Sequence, residues 1–203
     1  MRVVTSQLEE VRQRLRAYRP TLIESARRER AAVGILLSER ADGFDILFIE
    51  RAERAGDPWS GHMAFPGGRV DAGDANSCAA AEREVREEVG VSLAGAERLG
   101  RLDDVSGRRG GRGASLVVSA FVYAVDRPAR LETNHEVREA LWVCGETLLD
   151  PAHHIEYVYP VAGSEIRSPG IVVGDPERHV VWGLTYRVLR DFFGILGRSF
   201  PGA

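Results

Sequence analysis

Much that would place a chain outside ordinary globular proteins is missing from this sequence. Cysteine occurs twice in 203 residues, at Cys78 and Cys144, far apart and in no metal-binding pair. A disulfide scaffold and a zinc ribbon are therefore excluded, and both thiols are expected as small apolar side chains in a reducing compartment. No apolar run approaches the ~20 residues of a membrane span, the region 116–125 included. The opening Met-Arg-Val-Val-Thr-Ser lacks the apolar core of a secretory leader. These absences predict a cytoplasmic protein with no membrane partner. Neither sign of charge prevails: 27 basic against 30 acidic residues give a net charge of −3, so nothing electrostatic calls for nucleic acid as a partner. There are no internal repeats and no low-complexity tract.

What is present suits one domain with a real core, able to bury about 70% of the surface its unfolded chain exposes. Leu8, Val11, Leu15 and Tyr18 recur at helical spacing and Pro20 follows, which predicts a helix over 6–19. Its other face carries Arg12, Arg14 and Arg16, a solvated face or an aid to binding an anion. We divide the chain into an N-terminal helical segment, 1–30, and a domain, 31–203. Strands are expected over 31–38 and 44–50, joined by Ala41-Asp42-Gly43 as a hairpin. Residues 51–73 are rich in Gly and Pro around Trp59 and Phe65, and long loops inside compact domains are usually functional. A helix follows over 76–89, with Gly90 as its left-handed cap. Further strands are expected at 98–103, 115–125 and 141–143, strand ends at 171–173 and 180–182, a basic flexible loop at 106–113, and a helix over 184–196. Strands and helices mix without regular alternation, which predicts an α+β or layered α/β/α fold.

The chemistry concentrates in the helix over 76–89. Glu84, Glu87 and Glu88 stand at i, i+3 and i+4 and project from one side, while Cys78, Ala81, Val85 and Val89 form an apolar stripe. Like charges at that spacing cost roughly 0.2–0.5 kcal/mol per pair, partly relieved by Arg83 beside Glu87 and Arg86 beside Glu82. A Glu-rich helix is most often a solvated face. Three carboxylates on one side are also hard oxygen ligands, of the kind Mg2+ and Mn2+ take. Upstream, Pro66-Gly67-Gly68 can bring bare backbone close to a metal or a phosphate.

Taken together, Gly68 and Arg83-Glu84-Val85-Arg86-Glu87-Glu88-Val89-Gly90-Val91 resemble the motif of the Nudix hydrolase family. Two positions depart from it: Asp74 stands for the central Glu, and the gap from Asp74 to Arg83 is one residue longer. Both departures, with Phe65-Pro66-Gly67-Gly68, Asp71 and Trp182-Gly183-Leu184-Thr185, resemble the coenzyme A diphosphatase branch. The segment 55–62 is one residue longer than in that branch and carries Trp59. The resemblance implies a Nudix-like α/β/α sandwich with a mixed sheet plus an N-terminal helix. It implies hydrolysis of the diphosphate linkage in a nucleoside diphosphate joined to another moiety, coenzyme A or its derivatives first. ADP-ribose, a dinucleotide or a nucleoside triphosphate as substrate, or a ligand sensor without activity, are the alternatives.

Roles follow residue by residue. Glu84, Glu87 and Glu88 would hold Mg2+ or Mn2+ with the Gly68 carbonyl, and Arg83 would orient the carboxylates. Asp74 takes the supporting acidic position. The base is Glu84, Glu88 or an acid outside the motif; among Glu132, Glu136 and Glu139, Glu136 is the choice. Arg51, Trp59 and Gly67 are the expected substrate contacts, with Arg108, Arg109 and Arg112 gripping phosphate. His62 is a further candidate contact, whereas Trp142 and Trp182 are expected in the core or an interface. His153 and His154 are adjacent in sequence and are not read as a zinc site. The partner is a small nucleotide; the oligomeric state is left open, with a homodimer as one option.

Overall fold

The structure, a computed structural model, describes residues 6–24, 29–54, 56, 59–108, 115–161 and 164–201. Strand β1 (Glu29–Arg40) turns at Ala41-Asp42 into β2 (Gly43–Arg51), and the two pair antiparallel. Eight consecutive residues of β2 are buried, so this hairpin is covered on both faces, as its unbroken apolar run requires. Alternate residues of β1 feed two different cores. Ile35 and Leu37 point to one side, Ala32 and Leu36 to the other, the two-residue period of a strand.

The central sheet is mixed. β1 pairs in parallel with β7 (Ser115–Ala124) and antiparallel with β2 and with β4 (Gly67–Arg69). β3 (Met63–Ala64) and β8 (Val137–Cys144) both pair with β2, while β5 (Glu97–Arg101) and β6 (Val105–Arg108) pair with β7. Helix α2 (Ser77–Val89) covers one face through Ala80, Ala81, Val85 and Val89. The other face is covered by α1 (Gln7–Ala17), the short α3 (Gly145–Leu149) and α4 (Gly183–Ile195). That is the α/β/α arrangement expected, with α1 burying Leu8, Val11 and Leu15 in the same core as Phe44, Phe192 and Phe193. None of the helices described is long and apolar enough to cross a membrane.

A second antiparallel sheet, β11-β10-β9, comprises β9 (His154–Val161), β10 (Ser164–Val172) and β11 (Val180–Trp182). The sequence pattern shows only its ends. Residues 165–169 are mostly exposed, including Ile166 and Pro169, so the hairpin lacks the alternation that marks a half-buried strand. Two expected loops also hold strands. β3 and β4 lie within 51–73, and β6, starting at Val105, runs into the basic segment as far as Arg108. β8 starts at Val137, earlier than the apolar residues 141–143 indicate, because it pairs along β2 as far as Arg51.

Candidate active site

Helix α2 carries the acidic cluster, and its ends explain its placement. Asn76 caps it by accepting from the backbone N–H groups of Cys78 and Ala79, and Gly90 ends it in the left-handed conformation at φ 73°. A side chain at Gly90 would also meet Glu132, its Cβ lying 2.8 Å from that of Glu132. Between these ends one turn presents its acids to different surroundings. Glu88 is 1% exposed, Glu84 is half-buried, and Glu87 is exposed on the rim. Glu82, which the spacing sets beside Arg86, faces away and accepts from the Tyr123 hydroxyl at 2.9 Å.

Arg83 ties the cluster together. Its guanidinium donates through two nitrogens to Asp74, both at 3.0 Å, to Glu84 at 2.9 Å and to Glu87 at 3.2 Å, and to the Arg69 carbonyl at 3.0 Å. A planar fork with five N–H donors suits such a position, whereas a lysine would not fill it. The Arg83 bond holds the Asp74 carboxyl below its ordinary range.

Strand β4 delivers the glycines. Gly67 donates its N–H to Glu88 Oε2 at 2.7 Å, and its φ of 157° brings its backbone against Ala32 and Val33. At Gly68 an added Cβ would lie 2.5 Å from Glu84 Cδ and collide with the carboxylate oxygens. With Glu84 in this position, only a bare backbone fits beside it. Burial pushes Glu84 up from its ordinary value. The same cause pushes Glu88 up to about 8, against the pull of the Gly67 N–H and the Arg51 charge, with Glu84 and Glu136 adding to the rise. A buried and a half-buried acid beside a glycine backbone are a hard-oxygen donor set of the kind a divalent cation takes.

The opposite wall begins with an irregularity. The β2–β8 register shifts between Glu50 and Arg51: Glu50 faces Glu139 but Arg51 faces Val137, leaving Arg138 as an extra residue. Such bulges re-aim side chains beside sites. Past this bulge, Ala52 N–H donates to the Glu136 carbonyl at 2.8 Å, and Arg54 grips the Glu136 carboxylate at 2.9 Å. Arg51, Arg54, Glu136, Glu84, Glu88, Gly67 and Gly68 line one cavity of about 1060 Å³.

Trp59 and His62 line the same cavity, joined by Tyr159 and Trp182 from the second sheet. The His62, Tyr159 and Trp182 rings lie 4.7–4.9 Å apart, and Thr185 donates to the Met63 carbonyl at 3.3 Å. Trp182, expected in the core or an interface, thus faces the site, while Trp142 packs away from it under Arg127. Arg54 and Tyr159 were not expected from the sequence. Arg54 sits among other arginines of an irregular loop, and Tyr159 reaches the cavity only through the second sheet. Arg109 and Arg112 lie outside the described residues, as does the side chain of Arg108, whose backbone ends β6.

Away from this cluster, Glu50, Glu139 and His179 are the group of His, Cys, Asp and Glu among the described residues whose ligand atoms all lie within 4.8 Å of one another, but its chemistry is that of a clasp. His179 Nδ1 accepts the Asp175 N–H at 3.0 Å, so the ring proton sits on Nε2, which faces the two carboxylates at 3.3 and 3.4 Å. Arg178 binds both carboxylates and Arg138 binds Glu50 at 3.3 Å, so the acids are already neutralised. His153 and His154 each meet a backbone carbonyl, of Val172 and Leu148.

An α/β/α domain with a glycine-backed carboxylate cluster opening on one large cavity defines a class, and comparison with known proteins gives that class its family. Residues 28–161 match the NUDIX domain, and the chain belongs to the Nudix family. It is 31% identical over 136 residues to the uncharacterized Nudix hydrolase NudL of Escherichia coli K12, covering 65% of each chain. To NudL of Salmonella newport it is 26% identical over 178 residues, 88% of each. An uncharacterized Schizosaccharomyces pombe protein is 37% identical over 110 residues, 52% of this chain and 33% of that one. The chain thus spans about a third of the yeast relative and just under two thirds of the Escherichia coli one. Among solved structures, a MutT/nudix family protein from Enterococcus faecalis aligns with a TM-score of 0.56 at 19% identity, over 94% of this chain and 74% of that one.

Proposed function

We propose that this chain hydrolyses the diphosphate linkage of a nucleoside diphosphate joined to a second moiety, with coenzyme A or its derivatives as the leading substrate. The observation that carries the reading is the burial of Glu84 and Glu88 against Gly67 and Gly68 at the end of a ligand-sized cavity. In this reading Glu84, Glu87, Glu88 and the Gly68 carbonyl hold Mg2+ or Mn2+. When bound, the ion neutralises charge on the diphosphate oxygens and makes the attacking water more acidic.

The chain's own groups do the rest. Water attacks one phosphorus, and the bridging oxygen leaves with the other phosphate, so two phosphate ends replace one anhydride. Glu136, across the cavity from Glu88, takes the proton of the water. Arg51 and Arg54 offset the charge that grows on the leaving phosphate. Arg83 keeps Glu84 and Glu87 in position without touching substrate. Trp59 and His62 bound the nucleotide, and any of Arg108, Arg109 and Arg112 that reaches the cavity adds grip on phosphate.

Support for coenzyme A comes from two segments that resemble that branch and meet at one wall. The Trp182-Gly183-Leu184-Thr185 segment packs on the residues before Phe65-Pro66-Gly67-Gly68, through Thr185 to Met63 and Trp182 to His62. The test is a Mg2+-dependent hydrolysis screen of coenzyme A, ADP-ribose, NADH, diadenosine polyphosphates and nucleoside triphosphates, with products identified by mass. Coenzyme A or an acyl derivative is expected to be turned over best. Equal or better turnover of ADP-ribose would overturn the substrate, and ligand binding without any turnover would overturn catalysis. In the active protein Glu87→Gln is expected to cost at least about a hundredfold in rate; near-normal activity would remove Glu87 from the ion's ligands.

A further inference from the structure

The cavity has two chemically distinct ends. One carries the carboxylates and arginines described above. The other is formed by Leu116 and Val118 on β7, and Leu184 and Val188 on α4. Three of these are almost sealed from solvent, Leu116 at 6%, Val118 at 7% and Val188 at 2% exposed.

Among the described residues, the polar side chains at this end are already engaged. Thr185 donates to the Met63 carbonyl, and at the rim Glu29 pairs with Arg69 at 3.4 Å. A nucleobase or a sugar would bring donors and acceptors that find little here, and burying them unmatched is costly. An alkyl chain brings none, and its transfer out of water is favourable by about 0.8 kcal/mol per methylene. Position fits as well. β7 lies two strands over from β4 through β1, about 10 Å at ordinary strand spacing, so a group reaching Val118 from a diphosphate at Gly68 needs a spacer. The total volume of about 1060 Å³ stands at the top of the range for ligand pockets, about 300–1,000 Å³, and leaves room beyond a nucleotide.

We propose that this aliphatic arm binds an alkyl or acyl chain on the non-nucleoside half of the substrate, so that the preferred substrates are nucleoside diphosphate esters with an apolar tail. The proposal rests on the diphosphate-hydrolase reading, but a different property of the chain tests it. Depth of the arm depends on Leu184, which lies over Gly107: a Cβ at Gly107 would come within 2.8 Å of Leu184 Cδ1. Gly107 has no positive φ, so alanine is tolerated by its backbone and displaces the leucine tip.

The experiment compares methyl, butyl and octyl β-esters of ADP in the Mg2+-loaded protein. Wild type is expected to gain at least tenfold in kcat/KM from methyl to octyl, carried mainly by KM. Leu184→Asn should abolish most of the gain. Gly107→Ala should lower the octyl rate while leaving the methyl rate within about threefold, a pattern that general damage to the fold would not give. A flat series in wild type, or the same gain in both variants, would overturn the proposal. If wild type hydrolyses no ester, the hydrolase reading fails instead. The arm is then judged by calorimetric binding of the same esters, where octyl must bind at least tenfold tighter than methyl, and equal affinities would overturn it.

Discussion

A carboxyl group sealed from water holds its proton longer than an exposed one. Glu88 is such a group, pushed up to about 8 by burial, and two consequences follow with defined signs. In metal-free protein the unfolded chain ionises this residue near its ordinary value of 4.5, while the folded chain keeps it protonated up to about pH 8. Its contribution to stability is therefore complete below pH 4.5 and is lost as pH rises to 8. We expect Glu88→Gln to raise the Tm in EDTA, by little at pH 5 and by several degrees at pH 8; an equal shift at both pH values would contradict this. Cation binding must expel the same proton, so Mn2+ affinity measured by calorimetry should tighten from pH 6 to pH 8. At this scale the sequence was most readable where neighbours in the chain make the site. Glu84, Glu87 and Glu88 share one helix side by spacing alone, and Gly67 and Gly68 announce a close approach. What spacing could not show is that Glu87 lies exposed on the rim while Glu88 is sealed, since that depends on what β4 and β8 place over the helix.

Elements carry the next part of the argument. Helix α2 was legible because every local signal agrees: an Asn cap, an apolar stripe and a Gly stop. The β9–β10 hairpin was not, because much of it is exposed and a strand without a buried side leaves no alternation in the sequence. With it went Tyr159, one wall of the cavity. Strand β4, three residues long, is too short for any pattern, yet it seats the whole acidic cluster. Gly68→Ala tests that seat. Its Cβ meets only the movable end of Glu84, so the Tm is expected to change by less than about 3 °C, roughly 1 kcal/mol at this size. Activity should still fall at least about a hundredfold, some 3 kcal/mol of transition-state stabilisation. Loss of folding on the same scale as loss of activity would show that β4 is structural only.

Across the whole molecule, all the basic side chains are arginine, and the long-range joints exploit the planar fork. Arg12 holds Glu97 through two nitrogens and so fastens α1 to β5. Arg178 joins the turn before β11 to Glu50 and Glu139 and thereby fixes the second sheet to the first. Glu50 is 1% exposed, and removing one partner of a buried ion pair typically costs about 3–5 kcal/mol. Since Arg178 is itself a third exposed and Arg138 remains beside Glu50, Arg178→Met should lower the urea midpoint by less than loss of a fully buried partner would. Adding Glu50→Gln should recover part of that loss, because the two residues interact directly. Strictly additive effects would mean that the clasp contributes nothing as a pair.

The parallel ladder between β1 and β7 has a consequence in time rather than in space. It pairs Glu29 with Leu116 and Leu37 with Ala124, partners almost ninety positions apart, and pairings so distant along the chain close slowly. On a ribosome the β1–β2 hairpin emerges first and must wait for its neighbour, with the apolar edge of β1 open to other nascent chains. The strand that later carries both β4 and β7 is thus left with one edge unpaired for most of the time the chain is being made.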